Sequence, residues 1–302
     1  MKYLSFFLLF LLTAALTAAE GELSFDRQVR QGDYFQAEIT LNAEREYKFI
    51  LSGPGKPVLK QDSLVLTLFG GMKVLEVNQY GNPSRIELRI DNISGTLNGT
   101  EIDSADLNGK VITGDLRKYP VRFLFSDTGK PIPRKAHPAL SSLFRVPAEN
   151  SLKDTLGPGM IPQNGKRWKI SALPVLESLK KRGFQITGDS ILADAVFEGR
   201  EKYRKTDCWK VVVNITSREM QTLDFRLKAE LWIPVDPNKN VIRMIRTGTE
   251  VIDLPLPPGN PISAGSDVRV ISKERLEAVL IPAKEPPRTI PKNKEWSDFL
   301  LR

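Results

Sequence analysis

Hydrophobic and polar residues alternate with a period of two along much of this chain. In residues 85–91 isoleucine and leucine alternate with charged side chains, and residues 224–233 extend the same pattern over ten positions. Such alternation is typical of a strand in an antiparallel sheet that buries one face. We therefore predict strands at both places, with Phe225, Leu227 and Leu231 on an apolar face.

Turn-forming residues separate the predicted strands. Residues 80–84 contain Gly, Asn and Pro, and Asn-Gly pairs occur at residues 98–99 and 108–109. Asn-Gly is the preferred pair of tight hairpin turns, and short strands at this spacing indicate a meander. Residues 61–69 are apolar on both faces, which predicts a central strand covered on both sides. The predicted fold class is mainly β: antiparallel meander sheets with one or two short helices.

A proline-rich stretch divides the chain. Residues 131–165 contain six prolines, so we interpret them as a crossover with one helical turn near residues 139–144. The crossover separates an N-terminal β half, residues 20–130, from a C-terminal β half, residues 166–281. Within the second half, residues 168–183 are compatible with a short helix or a strand. Similar hairpins in the two halves suggest a duplication, and the sequence leaves open whether they form one domain or two.

The first nineteen residues have the pattern of a secretory signal peptide. Lys2 precedes an apolar stretch at residues 4–16, and small residues occupy positions 17–19. We predict cleavage after Ala19, export to the periplasm or the extracellular space, and no membrane-spanning segment in the mature chain. The single cysteine, Cys208, excludes an intramolecular disulfide bond in this compartment.

Charge and metal-ligand content narrow the function further. The net charge of +8 is spread along the chain, which favours loose attraction to anionic surfaces and provides no nucleic-acid platform. One histidine, His137, and one cysteine cannot supply a usual zinc site. We predict no metal, no cofactor and no nucleic-acid partner.

Two groups of residues are candidates for a catalytic site. Asp127-Thr128-Gly129 matches the triplet with which aspartic proteases hold a carboxylate beside a second one, but the chain contains no second triplet. A nucleophilic relay would have to use His137 with a serine or Cys208, and no nucleophile-elbow glycine pattern accompanies them. Turn formation and a loop histidine explain the same residues. We therefore predict a protein that is not an enzyme.

Two stretches resemble known families. Residues 71–133, which include an Asn-Gly-Thr turn and the run Phe-Ser-Asp-Thr-Gly-Lys, resemble uncharacterised exported bacterial β-proteins classed as domains of unknown function. Residues 197–245, with Cys-Trp-Lys-Val-Val-Val and Leu-Trp-Ile, are similar to the half-barrels of periplasmic lipoprotein carriers. The second resemblance implies a curved antiparallel sheet around an apolar cavity that holds acyl chains or apolar peptides.

The sequence predicts three functions in descending order. The first is a non-enzymatic envelope protein whose curved sheet binds a lipid or another apolar or amphiphilic ligand, lined by Phe225, Leu227 and Leu231. These side chains would otherwise be ordinary core. The second is a structural or assembly component that presents its extended, proline-rich tail, residues 282–302, to an envelope partner. The third is a hydrolase.

Overall fold

One antiparallel sheet of twelve strands dominates the structure, a computed structural model. The prediction of a mainly β fold with antiparallel meanders is confirmed. The structure describes ten segments of the chain: residues 23–50, 58–102, 105–118, 120–144, 151–157, 159–160, 165–181, 186–217, 223–255 and 267–283.

The described residues form fourteen strands and three α-helices. The strands are β1 (Leu23–Ser24), β2 (Tyr34–Ile50), β3 (Val58–Val77), β4 (Pro83–Leu97), β5 (Thr100–Glu101), β6 (Val111–Asp115), β7 (Arg122–Phe125), β8 (Gly159–Met160), β9 (Arg167–Lys169), β10 (Ile191–Tyr203), β11 (Thr206–Ser217), β12 (Leu223–Pro234), β13 (Arg243–Pro255) and β14 (Asp267–Pro282). The helices are α1 (His137–Leu143), α2 (Leu152–Leu156) and α3 (Leu173–Lys181). Single 3₁₀ turns lie at residues 105–107 and 188–190.

The large sheet consists of two meanders joined side by side. Its strand order is β7-β6-β4-β3-β2-β14-β13-β12-β11-β10-β9, with β5 beside β4, while β1 and β8 form a separate pair. The junction is the antiparallel pairing of β14 with β2, which runs from Asp267 opposite Ile50 to Pro282 opposite Phe35. The last described strand therefore returns to the N-terminal half, and one continuous sheet crosses both halves.

Several elements differ from the sequence-based expectation in length or kind. The sequence pattern predicts two strands at residues 34–41 and 45–51, whereas residues 34–50 form the single strand β2. It predicts a strand pair or a strand followed by a helix at residues 268–281, whereas β14 alone occupies them. The helical turn expected near residues 139–144 is present as α1, and residues 168–183 contain the end of β9 followed by α3.

Apolar packing defines an inner face of the large sheet. The inner face carries a first cluster on β2–β4, β6, β7 and α1, and a second on β10–β12 and α3. Leu140 of α1 is fully buried in the first cluster, and Phe123 meets Phe144 there edge to face with ring centroids 5.8 Å apart. Leu179 of α3 is buried in the second cluster.

The opposite, outer face corrects two expectations. Val65 is 44% exposed there, so β3 lies inside the sheet but is not covered on both faces as predicted. Hydrogen bonding to β2 and β4 places β3 centrally, whereas apolar packing reaches it from the inner face. Trp232, expected to point outward with the polar residues of β12, does so but is 3% exposed. It lies in a third apolar cluster with Cys208, Ile242 and Ile245.

The tight turn predicted at Asn98-Gly99 is present. Both residues have positive φ, 52° and 76°, as a type I′ turn requires. At the second pair only Gly109 has positive φ, and the Asn108 side chain instead accepts a hydrogen bond from the backbone N–H of Ile93 at 2.9 Å. The predicted signal peptide, residues 1–19, and residues 284–302 of the tail lie outside the described segments. Within those segments, no helix is long and apolar enough to cross a bilayer.

Candidate functional site

The candidate site is the middle of the inner face, between the two apolar clusters. We call these residues the central strip; they lie on the inner face of β2, β13 and β14 and are, with one exception, partly exposed rather than buried. Its members are Ala43, Arg45, Met244, Arg246, Gly248, Glu250, Ser272, Glu274, Ala278 and Leu280, of which Arg45 is exposed. The strand pairing places these residues on one face, because they lie opposite residues of the two clusters or opposite one another on the neighbouring strand.

One end of the central strip is apolar. Met244 lies opposite Leu231 on β12 and Ala278 on β14, and Ala278 lies opposite Ile39 on β2. The Met244 side chain packs against both clusters while remaining partly exposed. Apolar surface therefore continues from one cluster to the other through a region where it is still accessible.

An ion pair crosses the strip next to this apolar end. The Arg246 guanidinium of β13 pairs with the Glu274 carboxylate of β14, and their side chains are 18% and 26% exposed. Arg246 lies opposite Ala229 and Leu276, so the pair is set into an apolar surface. Partial burial strengthens the attraction between the two charges, but it also removes part of their hydration.

A second set of polar groups follows along the same strands. Arg45 donates a hydrogen bond from Nε to Ser272 Oγ and one from Nη1 to Tyr47 Oη, both at 3.3 Å. The bond to Tyr47 is the main cause that raises the pKa of Arg45, and the negative charges of Glu250 and Asp62 add to it. The strip thus carries alternating positive and negative groups rather than a charge of one sign.

Gly248 leaves the floor of the strip without a side chain. It lies in the interior of β13, opposite Leu227 on one side and Glu274 on the other, where the ladder has no register shift. A Cβ built at Gly248 would meet no atom closer than the carbonyl oxygen of Arg226, at 4.0 Å. Among the described residues, the backbone at this position therefore has room for at least one further carbon atom.

The three residues predicted to line a ligand have two different environments. Phe225 and Leu231 are 8% and 7% exposed and belong to the second cluster. Leu227 is partly buried at the margin of that cluster, next to Gly248. All three lie on the inner face, and Leu227 borders the central strip.

Of the residues considered for catalysis, His137 has a serine beside it on the same helix, whereas Cys208 and Asp127 lie elsewhere in the fold. His137 is on α1, where its Nδ1 is 3.3 Å from Ser141 Oγ, and that hydroxyl donates to the carbonyl of Val121. Ser141 Oγ thus lies within hydrogen-bond distance of both the Val121 carbonyl and the His137 ring, and Ser141 is buried. Cys208 is buried in the third cluster, and burial raises the pKa of its thiol to about 11.

Asp127 completes the set of predicted chemical residues. It is exposed in the turn after β7, where Gly129 has φ of 64° and the Lys130 carbonyl accepts from Phe125. The turn interpretation of the Asp-Thr-Gly triplet therefore describes its local structure. Among the residues that the structure describes, no group of three His, Cys, Asp or Glu side chains is arranged to hold a metal ion.

Sequence reasoning did not find a cation–aromatic cluster on the outer face. The Arg243 guanidinium lies 4.4 Å from the centroid of the Trp232 ring and 4.9 Å from that of Tyr203, and it pairs with Glu277 at 2.7 Å. This packing explains why Trp232 is buried on an otherwise polar face. The only sequence signal was the tryptophan itself, placed out of step with the alternation of β12.

Comparison with known proteins finds matches among solved structures. No family model matches the chain, and no curated protein matches it. One match is a solved structure that describes lipid–protein interactions in lipovitellin. Its TM-score is 0.31 at 10% sequence identity, and the match covers 89% of this chain and 26% of that chain. This chain thus spans about a quarter of the lipovitellin chain. A DUF1329 family protein from Desulfovibrio piger matches with a TM-score of 0.20 and 12% identity, over 83% of this chain and 87% of that one.

Proposed function

We propose that this chain is an exported, non-enzymatic envelope protein that binds an acyl-chain amphiphile along the central strip. The observation that carries the proposal is the accessible apolar surface between the two clusters, formed by Met244, Ala278 and Leu280. The acyl chain would lie across these side chains, and the polar end would face the charged part of the strip.

The physical basis is removal of apolar surface from water. Each methylene group that becomes buried contributes about 0.8 kcal/mol, so an acyl chain of about ten methylenes would contribute about 8 kcal/mol toward the cost of association. The surface on which it would lie already continues into the two packed clusters, which hold the strands in place. The site needs little rearrangement before a ligand binds, and this lowers the cost of association.

The separation of the reactive side chains supports binding rather than catalysis. His137 lies beside the first cluster, and Cys208 lies in the third cluster on the other face. A thiol nucleophile and its base must be within hydrogen-bond reach of each other, which these two environments do not provide. The serine within reach of His137, Ser141, is buried on α1 and lies outside the central strip. The central strip offers ion pairs and apolar side chains instead.

The test is binding of N-phenyl-1-naphthylamine, whose fluorescence rises in an apolar site, to the purified protein. We expect saturable binding to the unmodified chain and about a tenfold weaker affinity for Ala278→Glu, because a carboxylate would then lie in the apolar end. Thr249→Glu adds the same charge at an exposed position on the outer face of β13 and should bind as the unmodified chain does.

Thermal unfolding of both variants separates loss of the site from loss of the fold. Equal binding by Ala278→Glu and Thr249→Glu, with both proteins folded, would contradict the proposal.

The proposed export of the chain is tested separately. The full chain is expressed in a Gram-negative host. We expect to recover it from the periplasm, with the molecular mass of a chain that begins at Glu20.

A further inference from the structure

The glycines inside the strands of the large sheet fall into two kinds, those with a local structural reason and one without. Side chains of neighbouring strands crowd Gly71 and Gly114, and Gly199 lies at a register shift with φ of 132°. A Cβ at Gly70 would lie 2.0 Å from the carbonyl oxygen of Arg89, and a Cβ at Gly95 would lie 2.1 Å from that of Val65. At these positions the neighbouring backbone excludes a side chain. Gly248 differs, because nothing approaches within 4.0 Å of the equivalent point.

The packing of the described residues does not require a glycine at position 248, because no neighbouring atom would exclude a side chain there. Glycine weakens a strand interior, and where it occurs it often marks a bulge or a close approach of a ligand. The pairing of β13 with β12 and with β14 has no register shift, so Gly248 does not mark a bulge. The remaining reason is the approach of a ligand to the backbone.

The charges around Gly248 indicate what kind of ligand fits. Arg246 and Glu250 lie two residues away on either side along β13, about 7 Å in each direction. Glu274 lies directly opposite on β14. A head group with only negative charge would gain Arg246 and, farther along the strip, Arg45, but it would face two carboxylates. A purely cationic one would face the guanidinium groups. A head group with both charges finds a complement for each.

We propose that Gly248 is the floor of a subsite for a zwitterionic phospholipid head group such as phosphoethanolamine. The phosphate faces Arg246, and the ammonium group faces Glu250 and Glu274. The ligand charges enter the ion pairs of the central strip, and the missing side chain lets the head group reach the strand. This inference rests on the proposed function, since the acyl chains would lie on the apolar end of the strip.

The experiment uses phosphatidylethanolamine, phosphatidylglycerol and diacylglycerol with identical acyl chains and the same fluorophore on one chain. Affinity for the purified full chain is measured by titration. We expect phosphatidylethanolamine to bind about tenfold more tightly than either of the others. The Gly248→Val variant should lose this preference, because its side chain fills the space that the head group needs.

Gly248→Val is expected to fold, since valine favours strands and its Cβ meets no close contact. Thr249→Val, on the outer face of the same strand, is the matched control and should keep the preference. Equal affinity for the three lipids in the unmodified chain, or an unchanged preference in folded Gly248→Val, would overturn the head-group subsite while leaving acyl-chain binding intact. Absence of binding to all three lipids and to N-phenyl-1-naphthylamine would overturn the proposed function as well.

Discussion

The apolar clusters and the central strip share one face of one sheet, yet they differ in how completely they are packed. In the first cluster Leu66 and Leu68 are fully buried, and α1 closes the cluster with Leu140. In the strip Leu280 and Ala278 remain partly exposed although they occupy the same face. The difference shows that an apolar inner face is not by itself a core, because burial also needs a second layer.

Truncation of matched leucines should reveal this difference most strongly. Leu68→Ala removes a fully buried side chain from the first cluster and should lower the free energy of unfolding by about 3 to 5 kcal/mol. Leu280→Ala on β14 removes a partly exposed one and should lower it by about 1 kcal/mol, since less apolar area is lost and the space can fill with water. Urea unfolding measures both values. Equal losses would show that the strip is packed like the clusters.

The two kinds of glycine give a smaller contrast. Gly70→Ala forces a Cβ against the Arg89 carbonyl and should destabilise the protein by about 1 to 3 kcal/mol. Gly248→Ala meets no close atom and should be neutral or stabilising by up to about 1 kcal/mol, because it restricts the unfolded chain. The same urea measurement serves, and a destabilised Gly248→Ala would mean that the strip has less room than the geometry indicates.

Thiol reactivity compares the third cluster with the central strip without a large change in the stability of the protein. Burial raises the pKa of Cys208 from its ordinary 9.0 to about 11, so at pH 8 its thiolate fraction falls about a hundredfold. Ellman's reagent should therefore detect no fast thiol in the native chain and one fast thiol in Ala278→Cys. In urea both proteins should react fully. A fast thiol in the unmodified protein would show that the third cluster opens.

The same shift predicts a pH dependence. The folded state keeps the Cys208 proton up to about pH 11, whereas the unfolded chain loses it near its ordinary pKa of 9.0. The unfolded state then binds fewer protons, so this group's contribution to stability is present below pH 9 and declines as the pH rises toward 11. Cys208→Ser should remove that part of the alkaline decline in urea unfolding.

Local sequence patterns were enough to predict two of the long strands and one tight turn. Alternation in residues 85–91 and 224–233 corresponds to β4 and β12, and Asn98-Gly99 forms the expected turn. These signals depend on the period of side chains along a strand and on backbone freedom at glycine, both of which act within a few residues. The lengths of β2 and β14 were underestimated, because pairing across the sheet continues the strands through polar residues such as Asn42, Glu44 and Lys273.

The candidate site was predicted only as a face. Sequence placed Phe225, Leu227 and Leu231 together on the inner side of β12, but their burial depends on what packs above them. Gly248 and the Arg246–Glu274 pair carry no sequence signal of a site, since isolated glycines and charged residues are common in strands. Their grouping results from the pairing of β13 with β14, which places Gly248 directly opposite Glu274 and Arg246 opposite Leu276.

The sequence by itself determined an antiparallel β architecture, the apolar side of β4 and β12 and the absence of an intramolecular disulfide bond, because side-chain period, turn chemistry and a cysteine count are local properties. Only the tertiary structure decided that β14 returns to β2 and joins the two halves into one sheet. It also decided which stretch of the inner face remains uncovered. Strand order and coverage depend on contacts between residues more than two hundred positions apart, such as Phe35 with Pro282, and no periodicity along the chain encodes such a contact.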